Sequence, residues 1–205
     1  MFNGRHYYLI SIIIIALSMI PLICTFERKK PQARKLVVIA ALVTIAVISR
    51  TVFYMIPFFK PMLAVVIISG IGLGWECGFI VGTASAFMSN FIFGQGPWTP
   101  WQMFAMGTVG LISGLIFSKK YNADKMKIPV CIYGFLCAVV IYGGIMDTAS
   151  VLMYSNDVNT GLFTAAYISG FPVNVIHGIS TIIFLALMQK GMIKKLNRVK
   201  IKYSI

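Results

Sequence analysis

The sequence predicts an all-α integral membrane helical bundle, a six-helix core preceded by one additional N-terminal transmembrane helix. Three observations predict it. Of the 205 residues, 59% are Ala, Val, Ile, Leu, Met, Phe, Trp, Tyr or Cys. Charged residues make up only 11%, less than half the roughly 25% that a water-facing domain carries. The charges that exist are gathered between uncharged intervals, and several intervals reach the ~20 residues that a helix needs to cross a hydrocarbon core.

Each interval predicts one element. Residues 7–26 carry no charge and form the first span. Residues 36–49 run apolar to Arg50 and continue to Ile56, a second helix with one arginine near its end. The uncharged run 61–75 opens on Pro61, which a helix tolerates at its N-terminus; it is the weakest span. Between Glu76 and Lys119 no charge occurs. One helix cannot use that length, and Gly94-Gln-Gly-Pro-Trp-Thr-Pro100 divides it in two. Residues 128–146 and 158–189 supply the last two spans, separated by Asp147 and the polar stretch 154–160. The chain divides into an N-terminal helix with its basic loop (1–33), a six-helix membrane core (34–190) and a basic tail (191–205).

Basic residues set the orientation. Eighteen Lys and Arg stand against five Asp and Glu, and fifteen of the eighteen fall in 27–35, 119–127 and 190–202. An alternating six-helix core puts these segments on one side, the cytoplasmic side of a multi-pass cell-membrane protein, with the C-terminus inside. The net charge of +13 is therefore topology rather than a nucleic-acid face. Loops 55–60, 94–100 and 154–160 then face outward, and 7–26 reads as a retained helix with its N-terminus outside.

Small residues mark helix contacts. Gly70, Gly74, Gly78 and Gly82 recur every four residues, with Ala86 and Asn90 in the same register, and Gly107, Gly110 and Gly114 form a second series. Backbones can approach closely along such faces. On the first core helix Ala40 and Thr44 form a small-xxx-small pair beside Ala41, a surface for a neighbouring helix of this chain or of a partner.

Polar groups near the outward ends of the spans nominate a site. Asn90, Gln95, Gln102, Asn174 and His177 offer uncharged hydrogen-bonding groups, and Trp98, Trp101, Tyr142 and Tyr154 offer aromatic faces. Together they are expected to line an outward-opening cavity for a flat organic ligand. Trp and Tyr also populate membrane interfaces without binding anything. Asp147 belongs either to this cavity or to the helix end; facing lipid at mid-bilayer it would cost about 2–3 kcal/mol. Pro172 bends the last helix and aims Asn174 inward.

Catalysis and metal binding find no support. Cys24, Cys77, Cys131 and Cys137 form no Cys-x-x-Cys pair, and histidine occurs only as His6 and His177. Ser85 and Ser89 lack a nucleophile-elbow context, and no P-loop occurs. Hence no enzyme, resident cofactor or metal is expected, and a transporter built on this chain needs energy from another polypeptide.

The block 34–117 resembles the membrane substrate-binding subunits, or S components, of energy-coupling factor (ECF) vitamin transporters. The resemblance rests on the small residues of the first core helix, Ile56-Pro-Phe-Phe-Lys-Pro61, Ser69-Gly-Ile-Gly-Leu-Gly74, Gly82 to Asn90, and above all Phe93-Gly-Gln-Gly-Pro-Trp-Thr-Pro-Trp-Gln-Met-Phe104. It implies a six-helix subunit that captures a vitamin-like molecule from outside. It also implies a transmembrane coupling subunit and two cytoplasmic ATPases, on which the subunit topples to release its cargo. Members dock through an Ala-x-x-x-Ala motif on the first core helix; here Ala40-x-x-x-Thr44 stands in its place. The extra N-terminal helix is a second departure. The 94–103 block looks most like the subgroup for cobalamin or corrinoid precursors. The other reading open at this stage is an accessory or structural membrane protein whose glycines only pack helices.

Overall fold

The computed structural model describes residues 5–28, 32–122, 125–155 and 158–203. Among these it is all helical: α1 Arg5–Arg28, α2 Ala33–Val52, α3 Met62–Leu73, α4 Trp75–Phe93, α5 Thr99–Phe117, α6 Lys127–Tyr154 and α7 Thr160–Tyr203. Of these, α2, α4, α5, α6 and α7 are long and apolar enough to cross a membrane.

The centre of the bundle is α3. Its sequence MLAVVIISGIGL is apolar around its whole circumference, and all residues from Met62 to Gly72 are buried. A helix apolar on every face belongs inside protein or lipid. At 12 residues it is only about 18 Å long, so the expected span 61–75 is instead a short core helix seated on Pro61. Gly74 ends it with φ +95°, a left-handed conformation open to glycine. The Gly74 N–H still bonds Gly70 O at 2.9 Å, and α4 restarts at once.

The two glycine series meet each other. Gly70 and Gly78 both abut the Gly110 carbonyl, Gly82 abuts Met106 and Gly107, and Gly114 lies on the Trp75 backbone. A side chain at any of these positions would enter neighbouring backbone. Ser113 Oγ reinforces the seam, donating to Gly110 O at 2.8 Å and reaching Ile67 O at 3.2 Å. The expected close packing is present, with the chain direction broken at Gly74 inside it.

Three further differences from the sequence reading concern boundaries. α2 ends at Val52 rather than Ile56, because 53–61 folds back over the bundle. Phe53, Phe59 and Phe184 cluster there with ring centroids 5.0–6.2 Å apart, and Phe58 takes φ 59° in the turn. α6 runs through Asp147 to Tyr154, with a π-helical stretch Cys137–Gly143 inside it. α7 is 44 residues long, so the expected tail 191–205 is helical as far as Tyr203. Its Ile193 and Leu196 are buried, and Leu196 lies against Gly72.

The basic segments do share one end. Arg34 lies over the Tyr203 ring at 5.5 Å and Lys35 over Phe26 at 5.4 Å, joining the start of α2 to the ends of α7 and α1. Lys29 and Lys30 fall outside the described residues. α1 lies on the side of the bundle made by α4, α5 and α6, where Ile15 and Met19 pack with Phe79, Trp101 and Ala149.

Candidate functional site

At the opposite end from the basic segments, five elements deliver polar side chains to one place. α2 brings Arg50, just before its C-terminus. α4 brings Ser89 and Asn90 on its buried face, and α5 brings Thr99 and Gln102 in its first turn. α6 brings Tyr142 from the π-helical stretch, and α7 brings His177. The extra residue per turn of a π-helix shifts side chains around the axis relative to an α-helix, a device frequent at functional sites.

A continuous hydrogen-bond chain links all of these groups except His177. Arg50 Nη1 donates to Ser89 Oγ at 2.6 Å and Asn90 Oδ1 at 2.9 Å. Asn90 Nδ2 donates to Gln102 Oε1 at 2.8 Å and Thr99 Oγ1 at 3.1 Å. Gln102 Nε2 donates to the Tyr142 hydroxyl at 3.1 Å. Thr99 Oγ1 donates to Gln95 Oε1 at 3.0 Å, and Gln95 Nε2 reaches back to Phe87 O at 3.2 Å. The Arg50 guanidinium also lies 4.4 Å over the Phe93 ring. Such a network holds each donor in one orientation before any ligand arrives.

Beside this chain is a cavity of about 40 Å³. Arg50, Lys60, Gln102, Tyr142 and His177 form its polar wall, with Met62, Leu63 and Met106 as the apolar one. Tyr142 and His177 lie nearly parallel, with ring centroids 5.5 Å apart and planes at 32°. His177 Nδ1 is buried without a hydrogen-bond partner. Lys60 is held by its backbone, whose carbonyl accepts from Ser180 Oγ at 3.1 Å. Burial first, and then the charge on Arg50, draw the Lys60 ammonium below the ordinary lysine range. Among the described residues two cationic side chains line the cavity and no carboxylate does, so its field favours acceptor-rich or anionic groups.

Of the ten expected site residues, Gln102, Tyr142 and His177 line this cavity, and Asn90 and Gln95 support it through hydrogen bonds. The other five lie elsewhere. Trp101 is one residue from Gln102 and therefore ~100° around the helix; it faces α1 and α6, packed with Met19, Phe79 and Ala149. Trp98 lies with its ring over Gly96 of its own loop. Tyr154 is exposed at the end of α6. Asp147 and Asn174 pair with each other, Nδ2 to Oδ2 at 2.9 Å, and line a lateral groove with Tyr167 and Phe171. Asn174 is buried against Gly143, inward as expected but one turn from the cavity. The sequence reading missed Arg50, Lys60, Ser89 and Thr99. Arg50 had a usable signal, since an arginine inside an apolar span is costly unless it faces protein or water.

On α2, Ala40, Ala41 and Thr44 are exposed, and the Thr44 hydroxyl is turned onto its own helix at Ala40 O, 2.9 Å away. The surface is flat and uncharged, as close helix approach requires.

The fold is that of a multi-pass membrane helical bundle. A family model described as ECF-type riboflavin transporter, S component, matches residues 30–194, most of the chain. The chain belongs to that family. No curated protein and no solved structure matches it. The match begins after α1, so the additional helix stands outside the family core.

Proposed function

We propose that this chain is the substrate-capture subunit of an ATP-driven vitamin uptake transporter and that the cavity beside Arg50 takes riboflavin or a closely similar flavin. The observation that carries the reading is the preorganised cluster of donors around the cavity, Arg50, Lys60, Gln102 and Tyr142, in a chain of this family. The cavity's volume of about 40 Å³ is well below the ~300–1,000 Å³ typical of small-molecule sites, so its walls must move apart to admit a flavin. The flavin is preferred to cobalamin because the family description names riboflavin. A flavin presents a planar apolar body and one edge with two carbonyl acceptors flanking an N–H. Arg50 and Lys60 offer donors to such carbonyls, Gln102 can serve the N–H, and Tyr142, Met62 and Met106 can cover the ring faces.

The cavity end faces outward in this reading, with the basic end in the cytoplasm. Ala40, Ala41 and Thr44 receive the transmembrane coupling subunit, which with two ATPase subunits drives toppling and release. Chain purified in detergent should quench riboflavin fluorescence saturably, and Arg50→Gln should weaken that quenching at least tenfold. Absence of quenching by a folded chain that instead retains another small molecule, identified by native mass spectrometry, would overturn the flavin assignment. Ala40→Leu with Thr44→Leu should abolish co-purification with the ATPase subunits while riboflavin quenching persists; an unchanged complex yield would move the dock elsewhere.

A further inference from the structure

The basic end carries a second feature that vitamin capture does not use. α7 is 44 residues long, and its first 30 residues, 160–189, already rise roughly 45 Å at 1.5 Å each. That equals the thickness of a bilayer with its headgroups, so Lys190 onward lies at the membrane boundary. From 190 to 205 the sequence has six basic residues and no acidic one. As far as Tyr203 this stretch is a packed helix rather than a loose tail, with Ile193 and Leu196 buried against the bundle. A groove of about 350 Å³ runs along it. Lys190, Lys194, Asn197 and Arg198 line the groove at helical spacing, while Tyr121, Ile193 and Ile201 give it an apolar floor and wall. Ile201 is 81% exposed, an apolar side chain standing among cations.

We propose that this groove binds an anionic phospholipid, its phosphate between Lys194 and Arg198 and its upper acyl chain along Ile193, Tyr121 and Ile201. Charge complementarity chooses the occupant. The groove joins a cationic rim to an apolar floor at headgroup depth, which fits a single amphiphile with a negative head. Each basic residue near an anionic leaflet adds to the attraction, and side chains carried on a folded helix concentrate it at one place. The lipid would hold the C-terminal helix at the surface and set the resting tilt of the bundle.

The test uses the full chain in neutral detergent, titrated with dioleoyl phosphatidylglycerol or dioleoyl phosphatidylcholine and read by native mass spectrometry and thermal unfolding. Wild type should retain phosphatidylglycerol and gain several degrees in Tm, with no gain from phosphatidylcholine. Lys194→Gln with Arg198→Gln should lower retention at least fivefold, while Lys195→Gln with Lys200→Gln, the same charge loss outside the groove, should lower it less than twofold. Equal losses in both double variants would overturn the site in favour of diffuse charge. Equal stabilisation by inorganic phosphate would overturn the lipid assignment. So would a groove variant that keeps phosphatidylglycerol but loses its ATPase partners, since the surface would then be a protein dock.

Discussion

The two ends of this bundle use basic residues in opposite ways. At the cavity end, Arg50 is tied to Ser89, Asn90 and Phe93 and shares a small enclosed space with Lys60. At the other end, Lys194, Lys195, Arg198, Lys200 and Lys202 are exposed along a helix. Charge count says the basic end matters more; hydrogen bonding says the reverse. A guanidinium fixed in a low-dielectric site and aimed into a cavity discriminates between ligands, whereas exposed surface cations attract a charged interface.

The comparison can be broken or sharpened by substitution. The largest effect belongs to the seam both ends hang on: Gly110→Leu drives a side chain into Gly78 and Val66. It should cost about 3 kcal/mol and abolish monodisperse purification; a normally behaved variant would remove the glycine contact as the organising feature. Next is Arg50→Met, which strips two hydrogen bonds to a charged donor and leaves Asn90 Oδ1 unpartnered. At about 3 kcal/mol in all, riboflavin affinity should fall about 100-fold by fluorescence titration. Gln102→Leu breaks the link from Asn90 to Tyr142 and should cost about tenfold, on the order of 1.4 kcal/mol. Lys60→Met, at the half-buried edge of the cavity, should cost only about threefold, or about 0.7 kcal/mol. Smallest is Lys195→Gln with Lys200→Gln, expected to leave flavin affinity within about twofold. A tail variant that weakened flavin binding as much as Arg50→Met would erase the distinction between the ends.

Most of the architecture was legible in the chain because lipid imposes a strict rule: every spanning segment must be an uncharged helix of sufficient length. Charge-free intervals therefore marked α1, α2, α4, α5 and α7 well. The glycine spacing announced close backbone approach, although not that Gly74 would end one helix and begin another. The site was half legible. Asn90, Gln102, Tyr142 and His177 are polar groups at span ends, and such groups are few. Trp101 and Asp147 satisfied the same criterion and went elsewhere, since distance along the chain does not say which way a side chain points. Arg50 was read as one arginine near the end of the second helix and not as a site residue, although its position within an apolar run was the informative fact.

Sequence alone determined that the chain is a membrane bundle, how many helices it has, which loops are basic and where backbones touch, because hydropathy, charge and side-chain size act on each residue independently of its partners. Only the tertiary structure decided that α3 is a short buried axle, that a π-helical stretch carries Tyr142 to the cavity, and that Arg50 and Lys60 share it with His177. Those outcomes depend on rotations of one helix against another. Rotation is fixed by the sum of all contacts around the bundle, and no single segment contains that sum.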